Sequence, residues 1–329
     1  MLNAETFNLL TRLLNYVFAI PFLILGILGS LLTVIVFTRQ RAFRRNTTIT
    51  YLLAGAIVTG IHLPTIYIQM ILVYGFNTSL MNTNVAACRE HTYLRYVTTV
   101  AAISFPCWAS FDQYATTSRK VAFRNRWSSL RVARLVVVCN MLFWILIYIP
   151  VLFFTGIRHG VCAFIPSPYT TFNTYVFTPL VYCIGPIAVV TFCTRGTIKN
   201  LRSNIIRNTQ ESLSKQVRSM LLPQLTILAI SGIPFGFQGV YLDITSYVEK
   251  DAFRIAVENF AGQVILIFYH FNYVFTFYIY VFMSSEIRKI LKRQVFKFIG
   301  KNRVTPANFT TENSISLRPL NNMNSILKA

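Results

Sequence analysis

The sequence predicts an all-α membrane protein, a bundle of seven transmembrane helices followed by a short amphipathic eighth helix. Of the 329 residues, 54% are hydrophobic and only 12% are charged, and the mean hydropathy is +0.52. A soluble protein surface requires more charge than this. The chain also contains seven long apolar runs, each near the roughly 20 residues with which a helix crosses a ~30 Å hydrocarbon core.

The apolar runs occupy most of the chain, so no separate soluble domain fits beside them. In order they are Tyr16–Thr38, Ile49–Tyr74, Tyr93–Phe111, Val132–Phe154, Phe172–Thr194, Leu221–Leu242 and Phe260–Met283. The first run is too long for the apolar core of a signal peptide, which predicts a retained span. The predicted organisation is an extracellular amino terminus (1–15), the helix bundle (16–283), an amphipathic cytoplasmic helix (284–299) and a disordered cytoplasmic tail (300–329).

The net charge of +21 is distributed unevenly along the chain. The segments after the first, third, fifth and seventh runs contain 24 Lys and Arg residues, whereas the amino terminus and the alternate segments contain 5. Because basic residues stay on the cytoplasmic side, this asymmetry predicts a multi-pass plasma-membrane protein with its amino terminus outside. The basic face should also attract anionic membrane lipids, and its distribution argues against nucleic acid as a partner.

Two of the six cysteines, Cys88 and Cys162, fall in predicted outer segments. Disulfides persist in the oxidising exterior, so a bridge here would tie the loop after the fourth span to the top of the third. The other cysteines lie within spans, where we interpret them as packed thiols. They are Cys107, Cys139, Cys183 and Cys193.

The seven spans, the outside amino terminus and the cysteine pair resemble the rhodopsin-like G-protein-coupled receptors. That family has an Asp-Arg-Tyr triplet 24 residues after the outer cysteine of its third helix, and the same step from Cys88 reaches Asp112-Gln113-Tyr114. The segments "RRNTTITYLLAG" and "FNYVFTFYIYVFMSSEIRKIL" are most similar to invertebrate peptide receptors of the FMRFamide type. The family's helix-kinking prolines and its seventh-helix tyrosine match Pro150, Pro186, Pro234 and Tyr280.

Several motifs of that family are altered in this chain. Gln113 replaces the arginine of the triplet, and Gly232 replaces the sixth-helix tryptophan. Thr276 and Phe277 replace the Asn-Pro of the seventh helix. The second helix lacks the aspartate that holds a sodium ion in the family, and a buried cation requires such a carboxylate. No metal and no cofactor is therefore expected.

The resemblance implies that residues 112–114 and Tyr280 belong to the switch that couples ligand binding to a G protein. In the family the arginine pairs with the aspartate at rest and reaches the G protein in the active state. Gln113 can bond Asp112 but carries no charge, so either the resting state is held less firmly or coupling is weakened. Alternatively, the triplet only caps the helix end and anchors the inner loop.

Arg95 lies two helical turns after Cys88, at a position that faces the ligand pocket in the family. An arginine at membrane depth is energetically unfavourable and indicates a function, here recognition of a carboxylate, phosphate or acidic peptide group. An internal ion pair with Glu258 or Asp243 is the alternative. The other pocket residues implied by family position are Tyr96, Thr99, Gln69, His62, Gln238, Tyr241 and Gln263.

Three features outside the spans complete the prediction. Residues 284–299 are typical of a basic amphipathic helix on the inner leaflet. The tail is rich in Asn, Ser and Thr, which predicts disorder and offers candidate kinase sites for arrestin recruitment. Asn77-Thr78-Ser79 is a glycosylation sequon on the outer side.

These observations predict a receptor that senses an extracellular ligand, a neuropeptide by first preference, and signals to heterotrimeric G proteins. The histidines have no metal-ligand spacing and no phosphate-binding glycine loop is present, so the sequence does not predict an enzyme. A non-coupling receptor, or an odorant or small-molecule chemoreceptor of the same fold, is the first alternative. A membrane transporter is the second, although no repeated halves are visible.

Overall fold

The computed structural model describes residues 3–76, 78, 80–158, 160–203, 210–245 and 248–298. Within them the protein is mostly helical, and seven helices have 24 residues or more. These are α1 (Ala4–Arg39), α2 (Thr47–Gly75), α3 (Val85–Thr116), α4 (Leu130–Phe153), α5 (Pro168–Asn200), α6 (Gln210–Ile244) and α7 (Ala252–Met283). A further helix, α8, covers Ser285–Phe298.

Short elements connect the long helices. The helices Arg41–Arg44 and Val121–Trp127 follow α1 and α3, and Leu80–Asn82 forms a single 3₁₀ turn. After α4, β1 (Thr155–Arg158) and β2 (Val161–Phe164) form an antiparallel hairpin, which the sequence pattern does not predict. Gly160 has a φ of 75° in its turn, a conformation that glycine adopts without strain.

Five of the long helices, α1, α2, α4, α5 and α7, are long and apolar enough to cross a membrane. The prediction of a helical membrane protein is confirmed to that extent. The helices α3 and α6 are as long but contain more polar residues, and the apolar part of α6 is Thr226–Leu242. Composition alone therefore identifies five of the seven predicted spans.

The helix α1 begins twelve residues before the predicted span. The side chain of Asn3 caps it by accepting a hydrogen bond from the backbone N–H of Thr6 at 3.0 Å. From Ala4 to Arg39 the chain remains helical, with a π-helical turn at Asn15–Ala19. The predicted boundary near Tyr16 thus marks the start of the apolar part, and the polar segment before it is the first part of the same helix.

The long helices form a bundle in which the last helix, α7, contacts the first, α1. Each of the pairs α1–α2, α5–α6 and α6–α7 is in contact, and α7 packs back against α1. The helix α3 contacts α2, α4, α5 and α6, so it lies at the centre. Small residues allow close approach: a Cβ at Gly29 would lie 3.2 Å from Phe277, and one at Gly55 would lie 3.3 Å from Phe105.

The three predicted kink prolines lie in α4, α5 and α6. Pro150 follows an interruption of α4 at Tyr148, and Pro186 follows the π-helical turn Leu180–Ile184. Pro234 lies inside α6. Since proline removes a backbone donor, irregular turns beside the first two are expected.

The helix α8 starts directly after α7. The guanidinium of Arg288 donates to the carbonyl of Val281 at 3.0 Å, and Ile287 and Ile290 are buried. The exposed side of this first part bears Glu286 paired with Lys289 at 3.0 Å. The side chains after Arg293, the tail 300–329 and the predicted glycosylation site Asn77 lie outside the described residues.

The predicted disulfide between Cys88 and Cys162 is present. It joins the first turn of α3 to β2, and two hydrogen bonds support the same junction. Arg89 Nε donates to the carbonyl of Thr155 at 3.0 Å, and Asn82 Oδ1 accepts from the backbone N–H of Cys162 at 3.0 Å. The hairpin is thereby held over the start of α3.

We expect Cys88→Ser and Cys162→Ser to lower the melting temperature and surface expression equally, and the double variant to be no worse than either. Each change removes the same bond, whose loss typically reduces the free energy of unfolding by about 2–5 kcal/mol. Cys139→Ser is the matched control because Cys139 is a free, exposed cysteine. Full surface expression of either single variant would contradict the expected role of the bond.

Candidate functional site

The predicted switch residue Asp112 binds the start of α2. It lies in the last turns of α3 with 2% exposure, and its Oδ2 accepts from the hydroxyls of Thr47 at 2.8 Å and Thr48 at 2.5 Å. The side chain of Asn46 caps α2 by accepting from the backbone N–H of Ile49 at 3.1 Å. A carboxylate is favoured beside a helix amino terminus, so Asp112 stabilises the α2–α3 junction.

Gln113, the second residue of the triplet, reaches the same threonine. Its Nε2 donates to Thr48 Oγ1 at 2.7 Å, and the side chain is buried at 4% exposure. Thr48 thus accepts from Gln113 while it donates to Asp112. The hydroxyl of Thr48 is the common partner of the first two residues of the triplet.

Tyr114, the third residue of the triplet, faces α5. Its ring lies 5.8 Å from the ring of Phe192 and 6.2 Å from that of Phe123, centroid to centroid. A Cβ at Gly196 would lie 2.6 Å from the Tyr114 ring, so the absence of a side chain there permits the contact. Tyr114 therefore joins the end of α3 to α5 and to the segment after α3.

Tyr280 connects α7 with α6 and α1. Its hydroxyl donates to Gln224 Oε1 at 2.8 Å, and its ring stacks on Phe37 with centroids 6.0 Å apart. Both polar residues border a small cavity between the helices. The described lining has hydroxyl and amide groups but no carboxylate, and it includes Ser30, Thr33, Thr59, Gln224, Thr276 and Tyr280.

Arg95 does not pair with Glu258. Glu258 instead binds Lys250 at 2.6 Å and Arg254 at 3.0 Å, and it accepts from the Tyr241 hydroxyl at 3.0 Å. The guanidinium of Arg95 is exposed and lies 5.5 Å from the centroid of the Tyr96 ring. Within the described part of the chain no carboxylate lies within 4.0 Å of it, and the side chain of Asp243 lies outside that part.

Two histidines form a buried stacked pair beside Thr98, which lies one turn after Arg95 on α3. His62 on α2 and His270 on α7 have 0% and 1% exposure, and their rings are nearly parallel with centroids 5.4 Å apart. His62 Nδ1 lies 3.1 Å from Thr98 Oγ1, and His270 Nδ1 lies 2.8 Å from the carbonyl oxygen of Leu266. His270 is not among the predicted pocket residues. The two histidines are far apart in sequence, so no local pattern indicates that they pair.

The remaining predicted pocket residues do not form one group. Thr99 is near the histidine pair, with its hydroxyl 3.5 Å from His62 Nδ1, and Gln263 is buried on α7. Tyr96 packs between Tyr148 and Phe164. Tyr241 belongs to the Glu258 cluster, Gln238 packs on Gly262, and Gln69 is half-buried on α2.

The chain matches no protein-family model, and no curated protein is significantly similar to it. The geometry of its own residues is therefore the basis for functional inference.

We expect Thr48→Val to lower the free energy of unfolding by about 1–3 kcal/mol, since it removes one hydrogen bond from buried Asp112 and one from buried Gln113. Thermal melting of the detergent-purified protein measures the effect. Thr38→Val is the control, because Thr38 is exposed and its hydroxyl donates to carbonyls of its own helix, those of Val34 and Ile35. Equal melting temperatures for the two variants would show that Thr48 is not the common partner.

We expect Gly196→Ala to lower the melting temperature, because its Cβ would overlap the Tyr114 ring. Gly239→Ala should be neutral or stabilising by up to about 1 kcal/mol, since nothing lies within 4 Å of a Cβ there and alanine favours helix. Combining Gly196→Ala with Tyr114→Leu should restore stability. A Gly196→Ala protein as stable as the wild type would contradict the Tyr114–Gly196 contact.

Proposed function

We propose that the protein is a seven-helix plasma-membrane receptor of the rhodopsin-like type, with its amino terminus outside, that binds an extracellular peptide and signals to a heterotrimeric G protein. The observation that carries this proposal is a set of contacts between the starts of α3, α5 and α7. These contacts support a common side of the membrane for the three helix starts. Seven crossings require α3 and α6 to span in addition to the five apolar helices.

The disulfide supports a crossing by α3. Cys88 precedes nearly all of α3, and Cys162 follows α4, so the bond places these two points on one side of the membrane. The chain between them must then cross an even number of times. Since α4 is long and apolar enough to be one crossing, this requirement supports α3 as the other.

A second set of contacts supports a crossing by α6. The hairpin lies next to the start of α5, where Phe154 stacks on Tyr169 with centroids 5.2 Å apart. At the start of α7, Phe253 lies 5.7 Å from Phe7 of α1. Farther along α1, the Tyr16 hydroxyl donates to the carbonyl of Gly75, near the start of α3. These contacts support a common side for the starts of α5 and α7, which requires α6 to reverse the crossing by α5.

The opposite ends of the helices then form the cytoplasmic face. It contains the Asp112–Thr48–Gln113 junction, the Tyr114 contact with α5 and the Tyr280–Gln224 bond between α7 and α6. The basic segments of the sequence lie on this side, in agreement with the positive-inside rule. Together these contacts join α2, α3, α5, α6 and α7 at the surface where the resemblance implies G-protein coupling.

Ligand recognition is proposed for the interior near the opposite ends. Arg95 has no described carboxylate partner, and an unpaired guanidinium favours an acidic group. A peptide with an acidic group satisfies this requirement. Ligand binding that favours one helix arrangement over another would shift the equilibrium between the corresponding conformations of the cytoplasmic face.

We expect Gln113→Arg to recruit G protein without ligand several-fold more than the wild type at equal surface expression. The arginine supplies the charged, forked donor that Gln113 lacks. Recruitment is measured in cells with sensors for each G-protein class, and Gln113→Leu serves as an uncharged control. An arginine variant that recruits no class of G protein would contradict the proposed coupling face.

A further inference from the structure

The histidine pair has a defined tautomer that the predicted pocket does not explain. The Thr98 hydroxyl donates its proton to the carbonyl of Leu94 at 2.8 Å, so it accepts from His62 Nδ1. The carbonyl of Leu266 can only accept, so His270 Nδ1 is also a donor. In the neutral form of both rings, each Nε2 therefore carries a lone pair and no proton.

Both Nε2 atoms are buried without a hydrogen-bond partner among the described residues. The surroundings are largely aromatic: Tyr273 lies 5.2 Å from the His62 ring, and Tyr67 lies 5.5 Å from the His270 ring, centroid to centroid. A buried acceptor left unpaired is unfavourable, so an arrangement that brings a donor to these atoms would be stabilised.

Arg95 lies one helical turn from Thr98, the partner of His62, and carries a positive charge. It disfavours a cationic donor such as an ammonium group at the histidines. A ligand that contacts Arg95, His62 and His270 together must therefore have a negative group for Arg95. It must also have neutral N–H or O–H donors for the two Nε2 atoms.

We infer that this interior site takes an aromatic acid bearing a neutral hydrogen-bond donor, supplied as the carboxyl-terminal residue of a peptide. The inference rests on the proposed receptor function, of which it specifies the ligand class. The carboxylate binds Arg95, the donor binds His62 and His270, and the ring packs among the aromatic side chains. Because both Nε2 atoms are covered in this structure, binding requires the rings to separate, and the new bonds favour that separated arrangement.

The test uses the purified full-length protein in lipid nanodiscs, and it measures ligand affinity by titration without a G protein. The probes are N-acetyl-L-tyrosine, its O-methyl ether, which lacks the phenolic donor, and N-acetyl-L-tyrosinamide, which lacks the carboxylate. We expect the parent acid to bind at least about tenfold more tightly than either analogue, because the ether leaves the two buried Nε2 atoms without a donor and the amide leaves the Arg95 guanidinium without a carboxylate. Free tyrosine, whose ammonium group lies beside the carboxylate, should bind more weakly than the acetylated form if the source is a peptide.

Variants assign each preference to its residue. His62→Leu and His270→Leu should abolish the preference for the phenol and retain that for the carboxylate, whereas Arg95→Gln should do the reverse. Arg95→Lys keeps the charge and should retain the carboxylate preference. His62→Gln and His270→Gln keep a polar atom near Nε2 and should retain part of the phenol preference, which separates recognition from misfolding. Melting temperatures without ligand verify that each variant is folded.

Equal affinity for the three acetylated probes, or a phenol preference that survives both leucine variants, would overturn the inference. So would the absence of binding by every probe at millimolar concentration, or tighter binding of free tyrosine than of the acetylated form. Stabilisation by Zn²⁺ that either leucine variant abolishes would instead assign the pair to a metal, since metal-binding histidines also donate their other nitrogen to a carbonyl. Each of these outcomes is independent of whether Gln113→Arg recruits a G protein.

Discussion

The disulfide between Cys88 and Cys162 is the constraint on which the arrangement of the helices depends. It fixes the start of α3 and the hairpin after α4 on one side of the membrane, and the Arg89–Thr155 bond stabilises the same junction. From this point the side of each neighbouring helix end follows by contact. The proposed topology thereby includes two helices with polar residues, α3 and α6, as spans although their composition alone does not identify them as such.

The contacts of Asp112 hold α3 against α2 at a position where the receptors that the sequence resembles have an adjacent arginine. An arginine beside Asp112 would neutralise the carboxylate directly. Here neutral hydroxyls of Thr47 and Thr48 donate to it at the start of α2, and Gln113 donates to Thr48. Hydrogen bonds from neutral donors are weaker than a charged, forked pair, so this junction is a weaker restraint on α3 than an arginine pair would be. The restraint also joins α3 to α2, while Tyr280 separately joins α7 to α6.

The sequence predicts features that depend on local pattern and misses those that depend on tertiary contact. Apolar runs identify the helices, and the outer position of two cysteines predicts their bond. The helix α1 starts before the predicted span because hydropathy detects the apolar part of a helix and ignores a polar first segment capped by Asn3. The ion pair between Arg95 and Glu258, the alternative interpretation of Arg95, does not form. Lys250 and Arg254 are nearer to Glu258 along the chain and bind it instead.

The histidine pair could not be predicted from spacing, because 208 positions separate His62 from His270. Neither residue belongs to a motif, and each histidine inside an apolar run usually bonds a neighbouring backbone group. Both do so here through Nδ1, directly or through a threonine, and it is the packing of α2 against α7 that brings their other nitrogens into one aromatic environment. Similarly, the contact of Tyr114 with Gly196 becomes evident only when α3 and α5 are packed together.

The side of the membrane on which the segment after α3 lies tests the topology most directly. An epitope inserted after Lys120 should be stained only in permeabilised cells, whereas one inserted after Gly160 should be stained on intact cells. If only the five apolar helices crossed, the Lys120 epitope would be outside, because α3 would not reverse the crossing by α2. Staining of the Lys120 epitope on intact cells would therefore contradict the seven-helix arrangement, and staining only after permeabilisation is the result that it predicts.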